Sequence, residues 1–115
     1  MAITTTKVNE SVSVVAVDGR LDQAQNRELE ACLLTLLGQG ANQLIVDLNR
    51  TVYINSGGLR CLVSAWRRAR QQEGDLVLCG LNDRLEEIVT MVGFDKVFKI
   101  YPSQQEAIAA FAGTS

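Results

Sequence analysis

Two short apolar runs, Leu44-Ile45-Val46-Asp47-Leu48 and Leu76-Val77-Leu78-Cys79, are separated by a stretch with helical periodicity, and this alternation restricts the possible folds more than any other feature of the chain. A strand with one wet face alternates apolar and polar residues, whereas a nearly continuous run is the pattern of a parallel strand covered on both faces. Between the runs a helix is predicted from Ser56, with Leu59, Leu62, Val63 and Trp66 on one face and Gly74 as its stop. Upstream, Asp22 and Gln25 have the spacing of a capping box, and Leu29, Cys32, Leu33, Leu36 and Leu37 continue as an amphipathic helix closed near Gly38 or Gly40. Downstream, Asp83 with Glu86 opens a helix carrying Leu85, Ile88, Val89 and Val92 up to Gly93. Ser103 with Glu106 opens another, with Ala107, Ile108, Ala110 and Phe111 facing inward. Residues near 3–9 and 11–18 read as a hairpin turning at Asn9-Glu10 and stopping at Asp18-Gly19, and Val97 to Ile100 reads as a last strand. The order β-β-α-β-α-β-α-β-α implies an α/β fold with a mostly parallel sheet and right-handed crossovers. Its first strand is expected as an antiparallel addition at one edge.

The chain of 115 residues suits one domain, 1–115, and its single proline, Pro102, lies between two predicted elements. No apolar run approaches the roughly 18 residues of a membrane span, and Met1-Ala2-Ile3-Thr4 lacks the basic start and apolar stretch of a secretory signal. A cytoplasmic protein without direct membrane insertion is expected. The net charge of −2 gives no global attraction to nucleic acid. Cys32, Cys61 and Cys79 are scattered among apolar residues without a C-x-x-C pair, which favours core packing over a metal or disulfide role. The chain has no histidine, which removes the usual general base, the Ser-His-Asp and Cys-His nucleophile systems, and histidine metal sites. No catalytic residue, metal or cofactor is expected.

In open α/β sheets, ligands gather where parallel strands end and helices begin. Two such junctions stand out, Gly19-Arg20-Leu21-Asp22 and Asn55-Ser56-Gly57-Gly58. In the second, two glycines flank an exposed hydroxyl and leave backbone N–H groups accessible at a helix start, where a phosphate is favoured. The run from Ile45 to Leu59, Ile45-Val46-Asp47-Leu48-Asn49-Arg50-Thr51-Val52-Tyr53-Ile54-Asn55-Ser56-Gly57-Gly58-Leu59, resembles the signature of the STAS domain family, anti-sigma factor antagonist type. The order of elements also matches over essentially the whole chain. The resemblance implies a non-enzymatic binding module in which Ser56 is phosphorylated by a partner, an anti-sigma factor with serine-kinase activity. It further implies release of that partner on phosphorylation and a PP2C-type phosphatase that resets the switch. Gly19-Arg20-Leu21-Asp22 is similar to the family's G-x-L-D run, which brings Asp22 to the partner surface beside Asn55, Ser56, Gly57 and Gly58. The sequence departs from the family at Asn55, where Asp is frequent, and at Gly57, where Ser or Ala is usual.

Spacing alone offers plainer roles. Ser56 and Asp22 are both suited to helix starts, and capping is compatible with partner contact. Arg60, Arg67, Arg68 and Arg70, with no acidic residue between them, read as a solvated face or as a docking patch for an acidic partner. Trp66 lies on the apolar stripe and reads as core rather than as a binding hot spot. A STAS subunit serving a non-sigma partner, such as a secretion or signalling kinase-phosphatase module or a lipid-transport complex, is the alternative. Enzyme readings fare worse. A G-x-S-x-G elbow needs glycine where Ile54 stands, and no P-loop occurs. A receiver domain needs an acceptor Asp at a strand end, but Asp47 is inside its strand, and Lys96 precedes one.

Overall fold

The computed structural model describes residues 3–112; residues 1, 2 and 113–115 of the expected 1–115 domain lie outside the described part. Strands β1 (Ile3–Lys7), β2 (Val12–Leu21), β3 (Gln43–Ile54), β4 (Asp75–Cys79) and β5 (Ile100–Tyr101) form a single sheet in the order β1-β2-β3-β4-β5. Only the β1–β2 pair is antiparallel, with Ile3 opposite Val17; the other pairs are parallel. Helices α1 (Gln23–Gly38), α2 (Ser56–Gln71), α3 (Asp83–Met91) and α4 (Gln104–Ala112) supply the crossovers and the last element. This is the expected α/β architecture.

Both faces of the central strands are covered, which explains their continuous apolar runs. Val15 and Val17 of β2, Leu44, Val46 and Leu48 of β3, and Leu76 and Leu78 of β4 meet Leu29, Leu33 and Leu37 of α1, Leu62 and Ala65 of α2, and Leu85 and Val89 of α3. The intervening Val12, Val14, Ile45, Val77 and Cys79 form a smaller core under Ala107, Ile108 and Phe111 of α4. Trp66 is half-buried and meets Phe98 edge-on, with ring centroids 6.3 Å apart, so it packs with the core. Cys61 and Cys79 are buried free thiols, pushed up to about 11 and about 12 respectively. Burial is the main cause for both, with Glu30 adding to the first and Asp47 to the second. Both therefore remain protonated and unreactive near neutral pH.

Several boundaries differ from the sequence-based expectation. Asp18-Gly19 does not end β2, because Gly19, at φ +100°, sits at a register shift and the strand continues to Leu21. Beside that irregularity the buried Thr51 hydroxyl donates to the Val17 carbonyl at 2.9 Å. The last strand is Ile100–Tyr101 rather than Val97 to Ile100. Residues Phe94–Lys96 form a 3-10 turn that draws the Val97 and Phe98 N–H groups back to the Phe94 carbonyl. At the end of α2 the left-handed position is taken by Glu73, at φ 63°, and not by Gly74, whose backbone lies against Asn42. Helix α3 is capped by Asn82, whose Oδ1 accepts from the Leu85 N–H at 2.8 Å, so Asp83 is its first helical residue instead of its cap.

Candidate functional site

The β2–β3 pair runs past the rest of the sheet. Strand β4 stops pairing at Asp47–Cys79, whereas β2 and β3 stay paired to Leu21–Ile54. The two junctions singled out in the sequence therefore emerge side by side on a projecting ribbon. The starts of the first three helices are each capped by an Asp or Asn: Asp22 for α1, Asn55 for α2 and Asn82 for α3. Such side chains stand in for the missing i−4 carbonyl of the first turn.

Asn55, and not Ser56, caps α2, its Oδ1 accepting from the Gly58 N–H at 2.9 Å. Ser56 is thus the first helical residue. It is exposed, and its hydroxyl has no hydrogen-bond partner among the described residues. The Gly58 N–H is consumed by the cap, so the donors left open at the head of α2 are those of Ser56 and Gly57.

Asn26, which the sequence reading did not single out, joins the two junctions. Its Nδ2 donates to the same Asn55 Oδ1 at 2.8 Å, tying the first turn of α1 to the cap of α2. A Cβ on residue 57 would lie 2.9 Å from Asn26 Nδ2, and one on residue 58 would lie 2.9 Å from both Asn26 Oδ1 and Ile54 Cγ1. The glycines therefore do more than leave N–H groups accessible; they make room for Asn26. Gly57, the departure from the family pattern, accompanies this particular neighbour. A sequence signal for Asn26 existed: it extends the buried stripe Leu29, Leu33, Leu37 one turn toward the helix start, where a polar side chain needs a polar partner.

Asp22 Oδ1 accepts from the Gln25 N–H at 3.4 Å, a long contact. Asp22→Ala is accordingly expected to lower stability by about 0.5–1 kcal/mol, while Asp22→Asn, which keeps the cap, stays close to wild type in a urea melt. On the adjoining ribbon the Arg20 guanidinium lies 4.3 Å from the Tyr53 ring centroid, and Val52 is 58% exposed. These give the ribbon that leads to Ser56 a mixed cationic, aromatic and apolar surface suited to a macromolecular partner. Arg60, Arg67, Arg68 and Arg70 are all exposed on α2. A hollow of ≈ 190 Å³ lined by Gln43, Gly74, Asp75 and Phe111 sits at the opposite end of the sheet, where β3 and β4 begin. Asp47 is held inside β3, accepting from the Asn49 N–H and from Gln104 Nε2, both at 2.9 Å, and so is not presented at a strand end.

The mostly parallel sheet thus brings the starts of α1 and α2 together beside an exposed serine at the carboxyl ends of β2 and β3, where open α/β sheets present their binding surfaces. Residues 4–107 match the STAS domain, and the chain belongs to that family, whose anti-sigma factor antagonist members are non-enzymatic binding modules. The chain is 32% identical over 111 residues to BtrV of Bordetella bronchiseptica, whose name assigns it to the anti-sigma factor antagonists; the match covers 96% of this chain and 95% of BtrV. The fold is similar to that of Bacillus SpoIIAA, an anti-sigma factor antagonist, in its unphosphorylated form (TM-score 0.79, 19% identity, 97% of this chain and 99% of that one). The phosphorylated form gives a TM-score of 0.78 at 20% identity, covering 96% and 99% of the two chains. A sulfate transporter family protein from Wolinella succinogenes also shares the fold (TM-score 0.78, 18% identity, 91% of this chain and 88% of that one). Among the described residues no helix is long and apolar enough to cross a membrane.

Proposed function

We propose that this protein is an anti-sigma factor antagonist that works as a cytoplasmic partner switch. Unmodified, it binds an anti-sigma factor with serine-kinase activity through Asp22, Asn55, Ser56, Gly57 and Gly58. The kinase transfers the terminal phosphoryl group of a nucleoside triphosphate to Ser56 Oγ, the hydroxyl proton and the nucleoside diphosphate depart, and the partner is released. A PP2C-type phosphatase hydrolyses the phosphoserine and restores binding.

The observation that carries this reading is the state of Ser56: exposed, without a hydrogen-bond partner among the described residues, and relieved of capping by Asn55. A structural serine at a helix start normally serves as the cap. Thr51, the other aliphatic hydroxyl of the segment between Asp47 and Gly58, is buried and bonded to Val17 and cannot enter a serine-kinase active site without unfolding the ribbon. The near full-length similarity to BtrV supports the class of partner.

Incubation with the partner kinase and labelled nucleotide is expected to place one phosphate on the wild type and none on Ser56→Ala. Label that persists at another residue of the variant overturns the assignment. Asp22→Asn keeps the cap but lacks the charge, so weakened binding to the same partner, without a change in melting, marks Asp22 as a contact residue. If affinity purification from the native cell returns transporter or secretion subunits in place of an anti-sigma kinase, the sigma-directed reading fails.

A further inference from the structure

Ser56 and Arg60 are one helical turn apart on the exposed side of α2, and the side chain of a helical residue leans toward the helix start. Arg60 does so: its Nη2 lies 3.9 Å from the point where a Cβ on residue 57 would stand, so the guanidinium extends back along the glycine beside Ser56. Among the described residues, ion pairs join only Arg50 to Asp18 and Lys99 to Asp75, and α2 has no acidic residue, so Arg60 is held in no ion pair; the acidic group of α1 whose field reaches the neighbouring Cys61 is the exposed Glu30. The other charged groups at this end are differently placed. Arg20 lies over the Tyr53 ring, Asp22 accepts from the Gln25 N–H, and Arg27 projects from α1 at a hollow beside Asp22.

We propose that Arg60 is the internal receptor for a phosphate on Ser56: the modified side chain takes up the Arg60 guanidinium together with the open N–H groups of Ser56 and Gly57. This deepens the phospho-switch reading and rests on it. A phosphoserine adds about −1.5 to −2 charges and three acceptor oxygens, and arginine offers a forked donor that fits them. Modification then changes the surface twice, since it adds an anion at Ser56 and withdraws a free cation at Arg60 from any partner. An acidic group on the partner loses its attraction and meets repulsion in one step.

The test uses the protein with phosphoserine incorporated at position 56 during translation, so that it needs no kinase and stands apart from whether the cell phosphorylates Ser56. The phosphorus NMR shift is followed against pH. A free phosphoserine loses its second proton with a pKa of about 6. Pairing with Arg60 is expected to lower that value, and Arg60→Gln to raise it again by about half a unit, which is about a threefold change in proton affinity. Arg60→Lys is expected to fall between the two, because an ammonium retains the charge but not the fork. Arg27→Gln and Arg67→Gln serve as controls for the general field of the protein and are expected to leave the titration in place. Equal phosphate titrations in the wild type and Arg60→Gln, or equal displacements in all three Arg→Gln variants, overturn the proposal. Absence of phosphate from protein isolated from its cell would instead refute the parent reading and leave this pairing intact.

Discussion

Replacing Gly74 with alanine is expected to lower the melting temperature by more than about 10 °C, from a loss of about 3 kcal/mol. A Cβ at that position would stand 1.9 Å from the Asn42 carbonyl oxygen, 2.6 Å from its carbon and 2.8 Å from the Asn42 Cβ. Two of those atoms are backbone, and they cannot turn aside as the end of a side chain can. Asn42 is also fully committed. Its carbonyl accepts from the Asp75 N–H at 3.0 Å, starting the β3–β4 ladder, and its Nδ2 donates to the Gln72 carbonyl at 2.9 Å. Relieving the clash means moving β4 away from β3 or opening the end of α2, and either breaks contacts in the centre of the sheet. Gly38→Ala is the control. Nothing lies within 4 Å of a Cβ there, and alanine is favoured over glycine in a helix, so its melting temperature is expected to stay level or rise slightly. Thermal denaturation of the two variants side by side checks the contrast. Equal melting would mean that the α1–β3 and α2–β4 connections are not locked together at Asn42.

What the sequence reveals and what it conceals follow one division. Leu44–Leu48 and Leu76–Cys79 announce parallel strands because burial on both faces is written in a local pattern. Leu29, Leu33 and Leu37 announce the inner face of α1 in the same way. Helix starts are harder where two capping residues stand together. In Asn55-Ser56 and in Asn82-Asp83 either residue is competent by type, and in both pairs the asparagine caps, so that Ser56 and Asp83 are the first helical residues and the cap lies one position earlier. At α2 that single position matters, because it frees the Ser56 hydroxyl. Gly19 and Gly74 show the same limit for glycine. The sequence marks them as punctuation, but the register shift at the first and the contact with Asn42 at the second depend on chain far away. The family signature brings out Asp22 and the Ser56 turn, whereas for Asn26 the stripe of α1 signals only a need for a polar partner, and that partner, 29 residues along the chain, is visible only in three dimensions.

Phosphorylation of Ser56 is expected to reduce affinity for the anti-sigma partner by at least about a hundredfold while leaving the domain folded as before. Within the domain the new charge lies at the favourable end of the α2 dipole, beside the open N–H groups of Ser56 and Gly57, an interaction worth about 0.3–1 kcal/mol. No buried group is displaced, since Ser56 is exposed and the cap belongs to Asn55. The melting temperature should hold or rise by a few degrees. At the interface the balance is opposite, because the phosphate must shed water or face the partner's own charges, and an unmatched charge there costs about 2–5 kcal/mol.

The most direct measurement is a calorimetric titration of the anti-sigma partner with the unmodified and the Ser56-phosphorylated protein, accompanied by amide NMR spectra of both forms. The expected result is a loss of affinity of a hundredfold or more, with spectral changes confined to the β2–α1 and β3–α2 junctions. Equal affinity of the two forms would contradict the switch, and changes spread through β3, β4 and α4 would contradict the rigid scaffold on which it is built.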